Sequence, residues 1–259
     1  MTFEKIEHDF TLPAGYVDES GAIHQQGVLR EASLADEVIP AKHPHVQDNP
    51  AYLNVAVLSR VVTKLGEVDN IRPEVIERLF SSDFAYLMDF YDRINKHDSE
   101  HLDATCPKCQ HKFEAEAKFP AKIQADRVLK TEHEFTLPKG FIDDEGTPHK
   151  QGVMRLGTIG DEVLPLKDRR VQENPVYLTV ILLSRVITKL GTLEEVNPRV
   201  IENLYSDDFN YLRELYKQIN KYSPSVEANC PKCQHKFEVE AAIKLPADRI
   251  WPARSTSRA

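Results

Sequence analysis

An internal repeat constrains the fold of this chain more than any other feature of its sequence. Residues 49–66 read NPAYLNVAVLSRVVTKLG, and residues 174–191 repeat them as NPVYLTVILLSRVITKLG, at an offset of 125 positions. The resemblance between the two copies extends through most of the 259 residues. We therefore predict two tandem repeat units, at 1–125 and 126–247, followed by a flexible tail at 248–259 that holds the single tryptophan.

The repeated segment predicts a central packing helix in each unit, about four turns long. Asn49 and Pro50 are typical of the N-cap and first helical position, and Gly66 is typical of the residue just past a helix end. Between them, apolar residues recur at steps of three and four, which gives a wide stripe that faces a core. The same signals return at Asn174, Pro175 and Gly191.

The rest of each unit predicts a β-hairpin before this helix and two helices after it. The hairpin reads EHDFTLPAGYVDESGAIHQQGVLR, with alternating apolar residues and a turn that contains glycine. Pro73 opens a short amphipathic helix, and a third helix follows from about Asp83. The polar residues 96–105 then predict a surface loop. The fold class is α+β: in each repeat, a β-hairpin, a three-helix unit and a CxxC zinc knuckle.

Two polar features invite a catalytic interpretation, and a structural one is favoured for both. His24 and its counterpart His149 are expected to be solvated strand residues, not ligands or bases. The acidic pair Asp36 and Glu37, repeated at 161 and 162, is typical of the first turn of a short helix that a proline ends.

Two cations lie one helical turn apart on each predicted central helix: Arg60 with Lys64, and Arg185 with Lys189. Side chains of this kind commonly cover the edge of a core and pair with local carboxylates. The alternative is that these four residues form a partner-binding flank.

All four cysteines of the chain belong to two copies of the sequence CPKCQHKFE, as Cys106 with Cys109 and Cys230 with Cys233. Their spacing is typical of a metal-binding knuckle, and a structural zinc ion takes four ligands. A disulfide framework or a thioredoxin-like redox pair fits the sequence context less well. We predict that the repeats dock about a pseudo-twofold axis and share one structural zinc ion. A mixed site with His111 and His235 is the alternative.

Charge and composition exclude several classes of function. The formal net charge is −8, and the surplus of acidic residues lies in residues 1–125. The sequence shows no cluster of basic residues that would bind the phosphates of a nucleic acid. No apolar run approaches the roughly 20 residues that a membrane span requires. No nucleophile elbow, phosphate-binding glycine loop or HExxH helix occurs. We expect a cytoplasmic protein that is not an enzyme, does not bind nucleic acid and does not span a membrane.

The helical part of each repeat resembles a known family. The run DEVLPLKDRRVQENPVYLTVILLSRVITKLGTLEEVNPRVIENLYSDDFNYLRELYKQIN and its first-copy counterpart are similar to phage tail and baseplate assembly proteins, a family that includes the T-even baseplate-hub assembly factor. That family usually has a single unit, so the tandem copy is a departure from it.

The resemblance implies a role in building a contractile phage tail, its baseplate or a phage-tail-like injection system. The chain would act as a chaperone or as a minor structural part, with tail, baseplate or hub proteins as partners. The alternative is a zinc-stabilised protein–protein adaptor unrelated to phage tails.

Overall fold

The computed structural model describes residues 6–68, 70–95, 101–116, 130–222 and 225–240. It shows a mixed α+β protein in which one order of helices and strands occurs twice. The predicted tail at 248–259 and residues 117–129, which include the predicted boundary between the units, lie outside the described residues. Within the described ranges, the helices are too short or too polar to cross a bilayer.

The first half begins with a hairpin, continues through short and long helices, and ends with a two-stranded ribbon. Its elements are β1 (Glu7–Val17), β2 (Ile23–Arg30), α1 (Leu34–Val38), α2 (Pro44–Asp48), α3 (Leu53–Val61), β3 (Val62–Leu65), α4 (Pro73–Glu77), α5 (Ser81–Asn95), β4 (His101–Thr105) and β5 (Lys112–Glu116).

The second half repeats this order. Its elements are β6 (Glu132–Ile142), β7 (Pro148–Arg155), α6 (Ile159–Val163), α7 (Arg169–Glu173), α8 (Tyr177–Val186), β8 (Ile187–Leu190), α9 (Pro198–Glu202), α10 (Ser206–Ile219), β9 (Ser225–Asn229) and β10 (Lys236–Glu240). Short 3₁₀ turns at Pro40–Lys42, Pro50–Tyr52 and Leu164–Lys167 connect some of the helices.

The central helix is shorter than the sequence predicted. It ends at Val61 in the first half, and β3 follows at once and pairs antiparallel with β2, so the hairpin becomes a three-stranded sheet in the order β1-β2-β3. The β-branched run from Val61 through Thr63 suits a strand as well as a helix. An isolated hairpin is only marginally stable in water, and pairing with a third strand adds to its stability. Gly66, with φ of 53°, therefore follows a strand and does not cap a helix.

Each sheet packs on its own helices, and a buried aspartate fixes the contact. Asp83, near the start of α5, accepts hydrogen bonds from the backbone N–H groups of Ala14 at 2.7 Å and Gly15 at 2.9 Å. Burial raises the pKa of Asp83 to about 7, while the two N–H donors oppose that shift. Asp208 binds the backbone of Lys139 and Gly140 in the same way.

The helical cores of the two halves dock mainly through one segment of the second half and one face of the first, and Tyr222 also packs on the first half, with its ring 5.9 Å from that of Tyr86. The docking segment is residues 157–164, and the docking face consists of Asn49 and residues 79–81. Ile159 and Val163 belong to the hydrophobic core of the first half. The buried amide of Asn49 donates a hydrogen bond to the carbonyl oxygen of Val163 at 2.9 Å.

Backbone hydrogen bonds align this contact. The N–H of Ile159 donates to the carbonyl oxygen of Leu79 at 3.0 Å, and the N–H of Ser81 donates to the carbonyl oxygen of Gly157 at 2.9 Å. The Ser81 hydroxyl also donates to the Glu162 carboxylate at 2.7 Å. Because the docking segment and docking face are different surfaces, the cores are arranged head to tail.

This arrangement corrects the pseudo-twofold docking predicted from the sequence, as far as the helical cores are concerned. A twofold axis would also place residues 32–39 against Asn174 and residues 204–206. Among the described residues, the side chains of Leu34 and Tyr205 from these two sets are exposed instead. Twofold symmetry is therefore confined to the cysteine ribbons.

Candidate metal centre

Each pair of cysteines lies in the turn of a two-stranded ribbon. β4 pairs with β5 and β9 with β10, both antiparallel, so part of the predicted polar loop is a strand. In the first turn, the N–H of Cys106 donates to the carbonyl oxygen of His111 at 2.9 Å, and the N–H of Gln110 donates to the carbonyl oxygen of Cys106 at 2.9 Å. The second turn repeats both bonds at Cys230.

The turns are tight enough to hold a residue in the left-handed region of backbone conformation. Gln110 has φ of 58° and Gln234 has φ of 55°, values that glycine adopts most easily. A glutamine stays in this conformation only when its surroundings fix it. Each of these glutamines directly follows the second cysteine of its turn, so the backbone beside that cysteine is held in one conformation.

The two turns face each other and bring all four sulfur atoms together. The Sγ atoms of Cys106 and Cys233 are 3.6 Å apart, and those of Cys109 and Cys230 are also 3.6 Å apart. All four lie within 4.8 Å of one another. Sulfur ligands at about 2.3 Å from zinc form a tetrahedron whose edges measure about 3.8 Å. The cluster therefore has the size and ligand number of a tetrathiolate metal site.

The electrostatics of the cluster also favour a bound cation. Burial raises the pKa of the Cys230 thiol, but the backbone N–H groups of Cys233 and Lys232 and the neighbouring thiols lower it to about 7. At Cys233, the N–H of His235 lowers the pKa, whereas burial and the other sulfurs raise it to about 12. Four neighbouring sulfurs cannot all ionise near neutral pH unless a cation offsets their repulsion.

The histidines of the two turns serve as packing residues. The ring of His111 stacks on Phe113 at a centroid distance of 6.1 Å, and His235 stacks on Phe237 at 6.1 Å. Among the described residues, the candidate metal cluster contains the four cysteines alone. The geometry therefore favours the all-cysteine site over the mixed Cys/His alternative.

The apolar core that joins the ribbons is small. Ala104 and Ala228 are its buried members, and Phe113, Phe237 and Val239 pack against them. A core of this size stabilises a folded unit weakly, and small domains of this kind commonly depend on a metal.

Arg60 and Arg185 bind carboxylates of their own units. Arg60 Nη2 lies 3.1 Å from Asp36 Oδ1, and Arg30 binds both oxygens of the same carboxylate at 2.8 Å. Arg30 holds the pKa of the buried Asp36 well below its usual range. In the second half, Arg185 binds Asp161 Oδ1 at 2.9 Å. Local pairing, one of the two interpretations of these cations, is thus observed for both arginines.

The lysines of the predicted flank lie elsewhere. Lys64 and Lys189 are exposed residues of β3 and β8, so they do not share a helix with Arg60 and Arg185. The prediction that an arginine and a lysine share one face of the central helix is wrong, because this helix ends before the lysine in both halves. Whether the lysines bind a partner stays a prediction.

The acidic pairs and the hairpin histidines have structural roles. Asp36 completes a capping box with Ser33 at the start of α1, as the sequence indicated. The sequence did not show that Arg30 and Arg60 both pair with the carboxylate of Asp36.

His24 is not solvated as expected. Its Nε2 lies 2.8 Å from Asp18 Oδ2, and its ring covers Gly66, where a Cβ would lie 2.3 Å from His24 Nδ1.

No protein-family model matches this chain, and neither a curated protein nor a solved structure matches it.

Proposed function

We propose that this chain is a non-enzymatic assembly factor whose two halves are held together by one structural zinc ion. The observation that carries the proposal is the cluster of four thiols, to which each half contributes two. Soft thiolate ligands in a tetrahedral arrangement select zinc over hard cations such as Mg²⁺ and Ca²⁺. Cys106, Cys109, Cys230 and Cys233 would hold the ion.

A zinc ion bound by four cysteines has a structural role. Catalytic zinc sites keep one coordination position open for water or substrate, and four thiolates fill every position. Here the ion would fix one ribbon against the other and so limit the relative motion of the halves. The proposed activity is therefore to present two similar surfaces at a fixed spacing.

The proposed partners are tail, baseplate or hub proteins of a contractile phage tail or a phage-tail-like injection system, met in the cytoplasm of the host cell. This part of the proposal is supported by the helical pattern of both copies and by the two equivalent exposed cations, Lys64 and Lys189. A chain with paired contact sites suits the repeated symmetry of such assemblies.

A pull-down from the native host tests this function. The bait proteins are the tagged wild type, the double variant Lys64→Glu/Lys189→Glu, and Lys42→Glu as a control at another exposed lysine. We expect mass spectrometry to find tail, baseplate or hub proteins with the wild type and the control, and several-fold less with the double variant.

The opposite result has a clear meaning. If tail proteins are expressed in the host but absent from every eluate, while unrelated cytosolic proteins are enriched, the tail role is wrong. The chain would then be a zinc-stabilised adaptor that serves another complex.

A further inference from the structure

The head-to-tail contact between the halves leaves one copy of each docking surface unused. The first half has its own version of the docking segment at residues 32–39, and the second half has its own version of the docking face at Asn174 and residues 204–206. We refer to these as the free docking segment and the free docking face. Both belong to the described part of the chain.

The free docking segment exposes the apolar side chains that its counterpart buries. Leu34 is 76% exposed, whereas the equivalent Ile159 is 4% exposed. Val38 is 49% exposed, whereas the equivalent Val163 is 3% exposed. Ile39 continues the same exposed patch. Three large apolar side chains exposed together indicate a surface that another protein covers.

The polar groups of the contact are repeated as well. Tyr91 donates a hydrogen bond to Glu37 at 3.0 Å, as Tyr216 does to Glu162 at 2.7 Å. Glu162 accepts a second hydrogen bond from Ser81 across the docked surfaces, but Glu37 remains exposed. Glu37 is thus oriented for the same additional donor.

The free docking face offers that donor. Ser206 is the counterpart of Ser81, Asn174 is the counterpart of the buried Asn49, and both are exposed. At the position before this serine, Tyr205 replaces Phe80, and Tyr205 is 47% exposed. The free face thus retains the amide, the hydroxyl and a large aromatic ring, and Lys139 Nζ lies 5.3 Å from the centroid of that ring.

We propose that a second copy of this chain docks its free docking segment on the free docking face of the first. The contact already made between the two halves is the template, since both unused surfaces keep its apolar and hydrogen-bonding groups. Because the two surfaces differ, each added copy leaves one of each unused, and the association continues head to tail into a ring or a filament. This proposal is independent of the proposed tail function.

One difference makes the contact between copies weaker than the contact within the chain. A Cβ built at Gly160 lies 3.2 Å from the carbonyl oxygen of Glu77, and the free docking segment has Ala35 at that position. The neighbouring backbone must shift by a few tenths of an ångström to admit this methyl group. The contact between copies also lacks the covalent link that joins the halves. Association is therefore expected to depend on protein concentration.

Sedimentation velocity of the purified, zinc-loaded chain over a concentration series tests the proposal. Leu34→Glu disables the free docking segment, and Tyr205→Glu disables the free docking face. Ile23→Glu is the matched control, because Ile23 is an apolar residue 58% exposed on the hairpin of the first half and belongs to neither free surface. Zinc content and circular dichroism verify that each variant is folded.

We expect the average mass of the wild type and of Ile23→Glu to rise above that of one chain as concentration increases. Leu34→Glu and Tyr205→Glu should each remain single chains when alone. Mixed in equal amounts, they should form a dimer and nothing larger, because each variant retains the surface that the other lacks. Ala35→Gly should shift association of the otherwise unchanged chain to lower concentration.

Three results would overturn the proposal. The first is a wild type that sediments as one chain at every concentration. The second is an equal mixture of the two variants that contains no dimer. The third is a Tyr205→Glu variant that associates as strongly as the wild type, since that would mean a docking segment binds something other than the docking face.

Discussion

The cysteine ribbons and the helical cores join the same two sequence copies in different ways. In the ribbons the contact is reciprocal, with Cys106 near Cys233 and Cys109 near Cys230, so both ribbons use the same surface. In the cores the docking segment of the second half lies on the docking face of the first. A reciprocal contact is closed, whereas a head-to-tail contact leaves a surface free at each end.

The difference shows how a duplicated chain can hold its two cysteine ribbons in a closed contact while its helical cores leave one docking segment and one docking face free. The thiol cluster is complete within one chain, because two ribbons supply the four ligands that a structural zinc requires. The core contact uses only one docking segment and one docking face of the chain. The remaining segment and face can make the same contact only with a second copy. Substitutions at equivalent positions of the two copies separate these effects.

The largest effect is expected from Cys230→Ser. Cys230 is fully buried, and a structural zinc contributes on the order of 10 kcal/mol to the folding of small metal-binding units. Loss of the metal should unfold the ribbons, whose apolar core is small, and leave the helical cores folded. Zinc analysis and hydrogen exchange of residues 101–116 and 225–240 would show this. His235→Ala is the control and should retain the metal; equal metal content in both variants would contradict the account.

A smaller effect is expected at the docked surfaces. Ile159→Ala removes a buried side chain and should lower the free energy of unfolding by about 2–4 kcal/mol. The matched variant Leu34→Ala changes the equivalent exposed residue and should alter it by less than about 0.5 kcal/mol. Urea denaturation at low protein concentration measures both. Similar losses in the two variants would contradict the head-to-tail assignment of the cores.

The buried Glu162 should make the stability of the chain depend on pH. Burial raises the pKa of Glu162 above its ordinary value of 4.5, although the hydrogen bonds from Ser81 and Tyr216 oppose the shift. The folded state therefore holds the proton more tightly, and the contribution of Glu162 to stability falls as pH rises from about 4.5 towards the raised pKa. Glu162→Gln should remove this slope in denaturation curves over a pH series. Glu37→Gln changes the exposed equivalent and keeps Glu162, so the slope that Glu162 contributes should remain; loss of that slope in Glu37→Gln would contradict its assignment to Glu162.

The smallest effect is expected in the two turns. Gln110→Gly and Gln234→Gly relieve a left-handed backbone conformation, and each should raise the free energy of unfolding of its ribbon by less than about 1 kcal/mol. Because the ribbons are equivalent, the two gains should be similar in thermal denaturation of the zinc-loaded protein. A gain at one turn only would show that the ribbons are not equivalent.

Several elements could be predicted from the sequence because their signals are local. The hairpin β1–β2, the short helix that contains Asp36, and the two cysteine turns all follow from residue types a few positions apart. The β3 strand was missed because its residues continue the apolar spacing of the helix before it, and only pairing with β2 decides the outcome.

Long-range contacts were the least predictable. The pairing of Arg60 with Asp36 joins residues far apart in the sequence, and no local pattern specifies it. The head-to-tail contact was missed for a related reason: the two copies present almost the same segment and face, so the sequence alone does not say which copy docks on which. The meeting of the cysteine pairs was predicted because a zinc ion requires four ligands and each turn has two.

The most direct test of the central claim is the number of zinc ions per chain, measured by native mass spectrometry together with elemental analysis of the gently purified protein. We expect one zinc ion per chain, with all four thiols protected from alkylation until a chelator removes the metal. Two ions per chain would mean that each ribbon binds its own metal with other ligands, and a folded, metal-free ribbon pair would mean that no metal joins the halves.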